Sequence, residues 1–222
     1  MAHLLQSPEV TLLDLDGTLL ESPGVYKQVA AEMCLKYELP FDDEIFTKHG
    51  GRHLQDWLDI ICDDKERRDL YITDYRVRVR SLLDEKAQWK DGAPEFLKEL
   101  KAQGRPRAIA TTTSRPTFDV LNKKFGITNL VPDVITSSET PGRCKPNPLC
   151  IHLARMAVEA RIQKCVDPSI CAYMGDGEYD VVASERAGVM PVLYPNDHTH
   201  EDAFRPSAFV IKAYTDYLAI LP

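Results

Sequence analysis

Residues 9–18 read Glu-Val-Thr-Leu-Leu-Asp-Leu-Asp-Gly-Thr. Glu9–Asp16 reads as a short buried strand running into a turn at Gly17. Side chains two apart on a strand point the same way, but here the turn begins between Asp14 and Asp16. One carboxylate is therefore expected over the strand end and the other beside it in the loop. In open α/β sheets ligands bind at the carboxyl ends of strands, where such a pair would lie. A helix cap with acidic turn residues is the competing reading of the segment on its own. A calcium loop beginning at Asp14 fails, because its sixth position must be glycine and Leu19 stands there.

Outward from this segment the pattern changes twice. Between Val25 and Asp84 the periodicity is helical: Val25, Val29, Met33 and Tyr37 share one face, and Leu54, Trp57, Leu58 and Ile61 another. After Asp91-Gly92-Ala93-Pro94 a further helix runs to Gln103, stopped by Gly104. Strand and helix then alternate. Strands are expected at 107–111, 131–136, 168–174, 189–194 and 208–211. Helices are expected at 116–125, 148–160, 179–187 and 214–221, with Leu149, Leu153, Met156 and Ala160 on one face of the second. Repeated β-α-β units imply a Rossmann-like, doubly wound parallel sheet covered by helices on both faces. The helical block then reads as an insertion after the first strand. The expected division is a catalytic core of residues 1–19 plus 91–222 and an all-helical cap domain of residues 20–90.

Composition narrows the function classes. The 222 residues are 44% hydrophobic and 27% charged, a globular balance. The net charge of −7 argues against nucleic acid as the main partner. The longest stretch free of Asp, Glu, Lys and Arg, Ala187 to Asn196, is far short of the ~20 residues of a membrane span. Met1 to Val10 lacks the form of a secretory signal, so a cytoplasmic location is expected. The six cysteines include no C-x-x-C pair, which points to reduced thiols rather than zinc or disulfides. Arg76, Arg78 and Arg80 are expected on a solvated face or in local ion pairs with Asp69, Asp74 and Asp84.

Three more segments place polar groups at expected strand ends. Thr111-Thr112-Thr113-Ser114 offers hydroxyls and backbone N–H groups that can hold an oxyanion, or simply cap a helix. Lys145-Pro146 precedes the helix at 148–160. Gly175-Asp176-Gly177-Glu178-Tyr179-Asp180 adds two carboxylates four residues apart. Clustered carboxylates stay ionised only with a cation present, and oxygen ligands without His or Cys suit Mg²⁺. A lysine and several donors nearby imply an anion held against that metal. A carboxylate can attack phosphorus, and a second can protonate the leaving alcohol and then activate water.

Asp14-Leu15-Asp16-Gly17-Thr18-Leu19 resembles the first motif of the haloacid dehalogenase (HAD)-like hydrolase superfamily. Thr111, Lys145-Pro146 and Gly175-Asp176-x-x-x-Asp180 resemble its second, third and fourth motifs, in family order across roughly residues 9–195. The resemblance implies Asp14 as nucleophile and Asp16 as general acid/base. Thr111 and the backbone N–H groups of Leu15 and Thr112 would hold the phosphoryl group, and Lys145 would neutralise it. Mg²⁺ would be bound by the Asp14 carboxylate, the Asp16 backbone carbonyl and Asp176, with Asp180 orienting Lys145 or a metal-bound water. Cys144, Leu149 and Thr112 depart from the usual residues of the second and third motifs without removing a required charge.

The helical insertion resembles the cap of the phosphoglycolate phosphatase and β-phosphoglucomutase-like branch. His49 and Arg52, in the glycine-flanked Lys48–His53 segment, are its substrate-contact candidates. The implied activity is Mg²⁺-dependent hydrolysis of a small phosphorylated metabolite through an aspartyl-phosphate. A phosphomutase on the same core is the alternative, and a catalytically silent binding protein is disfavoured because every required acid and lysine is present. Phosphoglycolate, a sugar or polyol phosphate and a nucleotide all remain open as substrates.

Overall fold

The computed structural model describes residues 7–49 and 54–222. Its first strand, β1 (Val10–Leu13), is buried on both faces, and the one polar side chain in it, Thr11, has its hydroxyl 3.0 Å from that of Tyr217. After Gly17 the chain forms β2 (Leu20–Glu21), then four helices: α1 (Pro23–Lys36), α2 (Asp43–His49), α3 (Leu54–Ile61) and α4 (Lys65–Lys86). It returns through β3 (Gln88–Trp89), which pairs antiparallel with β2 in the register Leu20↔Trp89 and Glu21↔Gln88. Pro23 opens α1 at a position where its missing N–H costs nothing, and the Asp64 side chain caps α4 by accepting from Arg67 N–H.

The rest alternates: α5 (Ala93–Ala102), β4 (Arg107–Ala110), α6 (Arg115–Phe125), α7 (Ile127–Leu130), β5 (Asp133–Ile135), α8 (Leu149–Ile162), β6 (Cys171–Gly175), α9 (Glu178–Ala187), β7 (Met190–Leu193), β8 (Phe209–Val210) and α10 (Tyr214–Leu218). The six-stranded sheet has the order β5-β4-β1-β6-β7-β8, and all its pairs are parallel. Because β4 lies on one side of β1 and β6 on the other, the winding reverses at β1. That leaves a crevice at its carboxyl end.

Strand periodicity divides the core into two layers. Val10 and Leu12 join Ala108, Ala110 and Tyr173 on the face covered by α8 and α9. Leu13, Ile109 and Met174 face the opposite layer, whose core runs on into α1, α3 and α4. The helical block is fastened to that layer where α4 packs on α6. Lys124 of α6 donates to the free carbonyls of Asp84 and Glu85 at the end of α4, at 2.6 and 3.3 Å.

Two local patterns are made specific by the structure. The buried face of α8 is Cys150, Ile151, Ala154 and Val158, while Met156 is 52% exposed. Arg78 pairs with Glu32 of α1 at 2.8 Å rather than with an acid of its own helix. Asp74 is taken by Lys36 and by the Tyr37 hydroxyl. The six cysteines are free thiols. Among the described residues no helix is long and apolar enough to cross a membrane.

Candidate active site

Three neighbouring strands deliver the polar groups to one crevice. Pairing between β1 and β6 runs one residue past the strand, with Asp14 N–H donating to Met174 carbonyl at 2.8 Å. That fixes the Asp14 carboxylate at the sheet edge. The chain then turns sharply: Gly17 adopts φ +77°, and its N–H donates to Leu20 carbonyl at 2.8 Å. A Cβ on Gly17 would also collide with the Asp176 carboxylate, so the glycine is required twice over.

Lys145, buried ahead of α8, links the acids. Its Nζ donates to Asp14 Oδ1 at 2.7 Å, to Asp180 Oδ1 at 2.6 Å and to the Tyr173 hydroxyl at 3.0 Å. Tyr173 in turn donates to the Ala110 carbonyl at 2.6 Å, so the lysine is held from β4 and β6 together. Burial pulls the ammonium's pKa down, but the charges of Asp14 and Asp180 outweigh it and raise it well above the usual lysine range. Burial lifts the Asp14 carboxyl well above its ordinary value; Asp180 and Asp176 add to the rise and Lys145 opposes it. Asp180 also accepts from Gly177 N–H at 3.0 Å, which closes the first turn of α9.

Asp16 occupies a different environment. Ser22 Oγ donates to its Oδ1 at 2.5 Å and Thr113 Oγ1 donates to its Oδ2, while the Tyr26 hydroxyl lies 3.1 Å from the same Thr113 oxygen. Burial raises its pKa, and these hydroxyls offset part of the rise. Both Asp16 carboxylate oxygens are thus held by hydroxyl donors rather than by the lysine. Thr111 is buried at the end of β4, where its Oγ1 accepts from Thr113 N–H at 3.1 Å, and Thr112 borders the crevice.

One carboxylate oxygen from each of Asp14, Asp176 and Asp180 falls within a 4.8 Å cluster. Burial pushes the Asp176 carboxyl up to about 7, and the charge on Asp180 adds to it. Hard oxygen donors, buried and mutually repelling, are the donor set of a divalent cation such as Mg²⁺, so the residues fit such an ion. The Asp16 carboxylate is outside this cluster.

Six residues of the site were not singled out individually by sequence reasoning: Ser22, Tyr26, Lys90, Thr113, Tyr173 and Asn196. Lys90 is buried, donates to the Gly17 carbonyl at 3.0 Å and lies 3.7 Å from the centre of the Tyr194 ring. Thr113 carries a visible signal, the run of hydroxyls it belongs to; the others act through tertiary contacts alone. Of the two insertion candidates, Arg52 lies outside the described residues, and His49 is described only as the last residue of α2. The crevice encloses a cavity of about 270 Å³, floored by Asp14, Asp16, Lys145 and Asp176 and walled opposite by α1–α4.

A family model of haloacid dehalogenase-like hydrolases matches residues 9–188. The pyrophosphatase PpaX of Oceanobacillus iheyensis is 25% identical over 213 residues, covering 95% of each chain. Validoxylamine A 7'-phosphate phosphatase of Streptomyces hygroscopicus subsp. limoneus is 25% identical over 195 residues, 87% of this chain and 88% of its own. Among solved structures, CbbY from Rhodobacter sphaeroides in complex with phosphate superposes with a TM-score of 0.79 at 20% identity, over 96% of this chain and 99% of its own.

Proposed function

The chain belongs to the haloacid dehalogenase-like hydrolases, and on that premise we propose that it is a Mg²⁺-dependent phosphatase hydrolysing a small phosphomonoester through an aspartyl-phosphate on Asp14. The observation that carries the reading is the separation of two carboxylates into unlike surroundings. Asp14 touches the Lys145 ammonium at 2.7 Å, whereas Asp16 is ringed by Ser22 and Thr113 hydroxyls. Acids placed in contrasting environments are how one site runs nucleophilic and acid–base chemistry at the same pH.

In the first step an Asp14 carboxylate oxygen bonds to phosphorus as the ester oxygen departs with the bonding pair. Asp16 gives that oxygen its proton, and the alcohol leaves. In the second step Asp16, now a carboxylate, takes a proton from water as the water oxygen attacks phosphorus. The acyl-phosphate bond breaks, which restores Asp14 and releases inorganic phosphate. Lys145 holds Asp14 in place and offsets negative charge on the transferring group, while Thr111 and the backbone N–H groups of Leu15 and Thr112 receive its oxygens. Asp14, Asp176 and the Asp16 carbonyl would hold Mg²⁺, which when bound supplies further charge neutralisation for the phosphoryl oxygens. Asp180 keeps Lys145 oriented.

Residues 1–19 with 91–222 act as the catalytic core, and residues 20–90 as a cap that shuts water out and meets the leaving group, with His49 and Arg52 its candidates for substrate contact. Support comes from the family match and from relatives named as phosphatases. The test measures inorganic phosphate released from a panel of phosphomonoesters and from pyrophosphate, with Mg²⁺ and with EDTA. Release should require Mg²⁺ and should vanish in Asp14→Asn. Release from pyrophosphate alone, or none from any compound, would overturn the proposal.

A further inference from the structure

The hydroxyls around Asp16 form a line with a direction. Thr113 Oγ1 donates to Asp16 Oδ2, and the Tyr26 hydroxyl lies 3.1 Å from that same Thr113 oxygen. A threonine hydroxyl has one proton to give. With that proton on Asp16, Tyr26 must be the donor in the second contact, so the order runs from Tyr26 to Thr113 to Asp16. The other carboxylate oxygen, Oδ1, accepts from Ser22 Oγ at 2.5 Å. Ser22 and Tyr26 stand one helical turn apart at the start of α1, where Tyr26 N–H donates to the Ser22 carbonyl at 3.3 Å. Two of the three hydroxyls therefore come from the helical insertion and one from the loop after β4.

The middle member is fixed by its own backbone. Thr113 N–H donates to Thr111 Oγ1 at 3.1 Å, and the Thr113 carbonyl accepts from Ser137 N–H at 3.1 Å. Thr113 is buried, and Asp16 and Tyr26 border the cavity on either side of it. Packing alone would bring a ring against this loop, but it would not ask for a hydroxyl on that ring aligned with the hydroxyl that holds the acid. A hydroxyl that accepts at its oxygen donates more strongly at its proton, so the Tyr26 contact tightens the hold of Thr113 on Asp16. Ser22 and Thr113 take one acceptor site on each carboxyl oxygen and leave a second free for a proton in transit.

We infer that Tyr26 is a positioning residue for the proton transfer to the leaving group: through Thr113 it holds the Asp16 carboxyl at the cavity and steadies the charge that forms there. The inference rests on the phosphomonoesterase reading and adds a residue that serves one half of one step. As the P–O bond breaks with its electron pair on the ester oxygen, the Asp16 proton passes to that oxygen and Asp16 becomes a carboxylate. Tyr26 and Thr113 keep their own protons and donate toward the charge as it develops. Their help is greatest where the leaving oxygen most needs a proton, and small where it departs readily as an anion.

The test uses the full chain in saturating Mg²⁺ on benzyl, phenyl and 4-nitrophenyl phosphate, rings of similar size whose leaving oxygens differ widely in basicity. The quantity read is kcat/KM, which reports the steps up to phosphorylation of Asp14. Tyr26→Phe should lower it about 3–10-fold for benzyl phosphate, the scale of one neutral hydrogen bond, and by under about twofold for 4-nitrophenyl phosphate, with phenyl phosphate between. Thr113→Val, which removes the middle hydroxyl and leaves the ring in place, should show the same dependence on the leaving group, and Thr113→Ser should restore most of the loss. With the line already cut in Thr113→Val, adding Tyr26→Phe should cost under about twofold more. A tyrosine that only packs would lower all three esters alike and would add its loss to that of Thr113→Val. Equal losses across the esters, no loss on benzyl phosphate, or additive losses in the double variant each overturn the inference. In each of those cases phosphate release still supports the phosphatase reading. Release from no ester by the unaltered chain overturns both.

Discussion

The side-chain amide nitrogen of Asn196 lies 2.7 Å from Asp176 Oδ2 and 3.2 Å from the Gly17 carbonyl. One residue after β7 thus ties the acid at the end of β6 to the turn that follows β1. Thr199 reinforces the tie, its hydroxyl donating to the Asp176 carbonyl at 2.7 Å. An acid meant to hold a metal needs such a partner to fix its orientation. Asn196→Ala should therefore raise the Mg²⁺ concentration for half-maximal phosphate release by about 10–100-fold, with most of kcat recovered at saturating Mg²⁺. An unchanged Mg²⁺ requirement would make Asn196 a loop-stabilising residue only.

The two acids of the first motif should fail differently. Asp14→Asn should reduce turnover to background, since the attacking oxygen is lost. Asp16→Asn should still bind phosphate analogues but turn over about 10²–10⁴ times more slowly, the usual cost of losing a general acid–base group. Rapid-quench trapping of phosphorylated protein separates them further: Asp16→Asn should retain label on Asp14 from a substrate with a good leaving group, and Asp14→Asn should retain none. Label in Asp14→Asn would move the nucleophile elsewhere.

Gly17→Ala tests the turn. At φ +77° an alanine is strained, and its methyl group would occupy the space of the Asp176 carboxylate. Phosphate release should fall far more than thermal stability does. Urea unfolding alongside initial rates checks this, and a variant retaining wild-type kcat/KM would contradict the crowding.

A fourth test concerns pH and stability at a site away from the reacting acids. Thr136 donates to Glu139 Oε2 from both its N–H and its hydroxyl, at 2.6 Å each, and Arg115 reaches Oε1 at 3.0 Å. Burial pushes the Glu139 carboxyl up, but these donors outweigh it and hold it below the usual glutamate range. A carboxylate whose pKa is depressed in the folded state stabilises above its unfolded value, ~4.3, and loses that contribution as pH falls through the folded value. The difference in urea midpoint between wild type and Glu139→Gln should be constant above about pH 5.5 and shrink as pH approaches 3. A gap independent of pH would assign the loss to geometry rather than charge.

Much of the architecture was legible because it is written locally. The Val10–Asp16 run, its glycine and the later alternation of strand and helix are patterns of neighbouring residues, and the sheet follows from them. The acids at the ends of β1 and β6 were legible for the same reason. What escaped depends on partners remote in sequence. Asn196 meets Gly17 across 179 positions, Lys90 meets it across 73, and Arg78 finds Glu32 across 46. No local spacing encodes such pairs.

The β2–β3 ladder has a consequence for how such a molecule can diversify. The chain departs for the four helices at Leu20–Glu21 and comes back at Gln88–Trp89, on strands a hydrogen bond apart. Two ends so close ask almost nothing of whatever joins them, since closing a longer or shorter excursion between fixed neighbours changes the entropy only logarithmically. The excursion is in effect a cassette. Beyond Ser22 and Tyr26, whose hydroxyls reach Asp16 and its partner Thr113, it can be lengthened, trimmed or exchanged without altering strand order, so the helices over the crevice and the acids beneath them can be inherited separately.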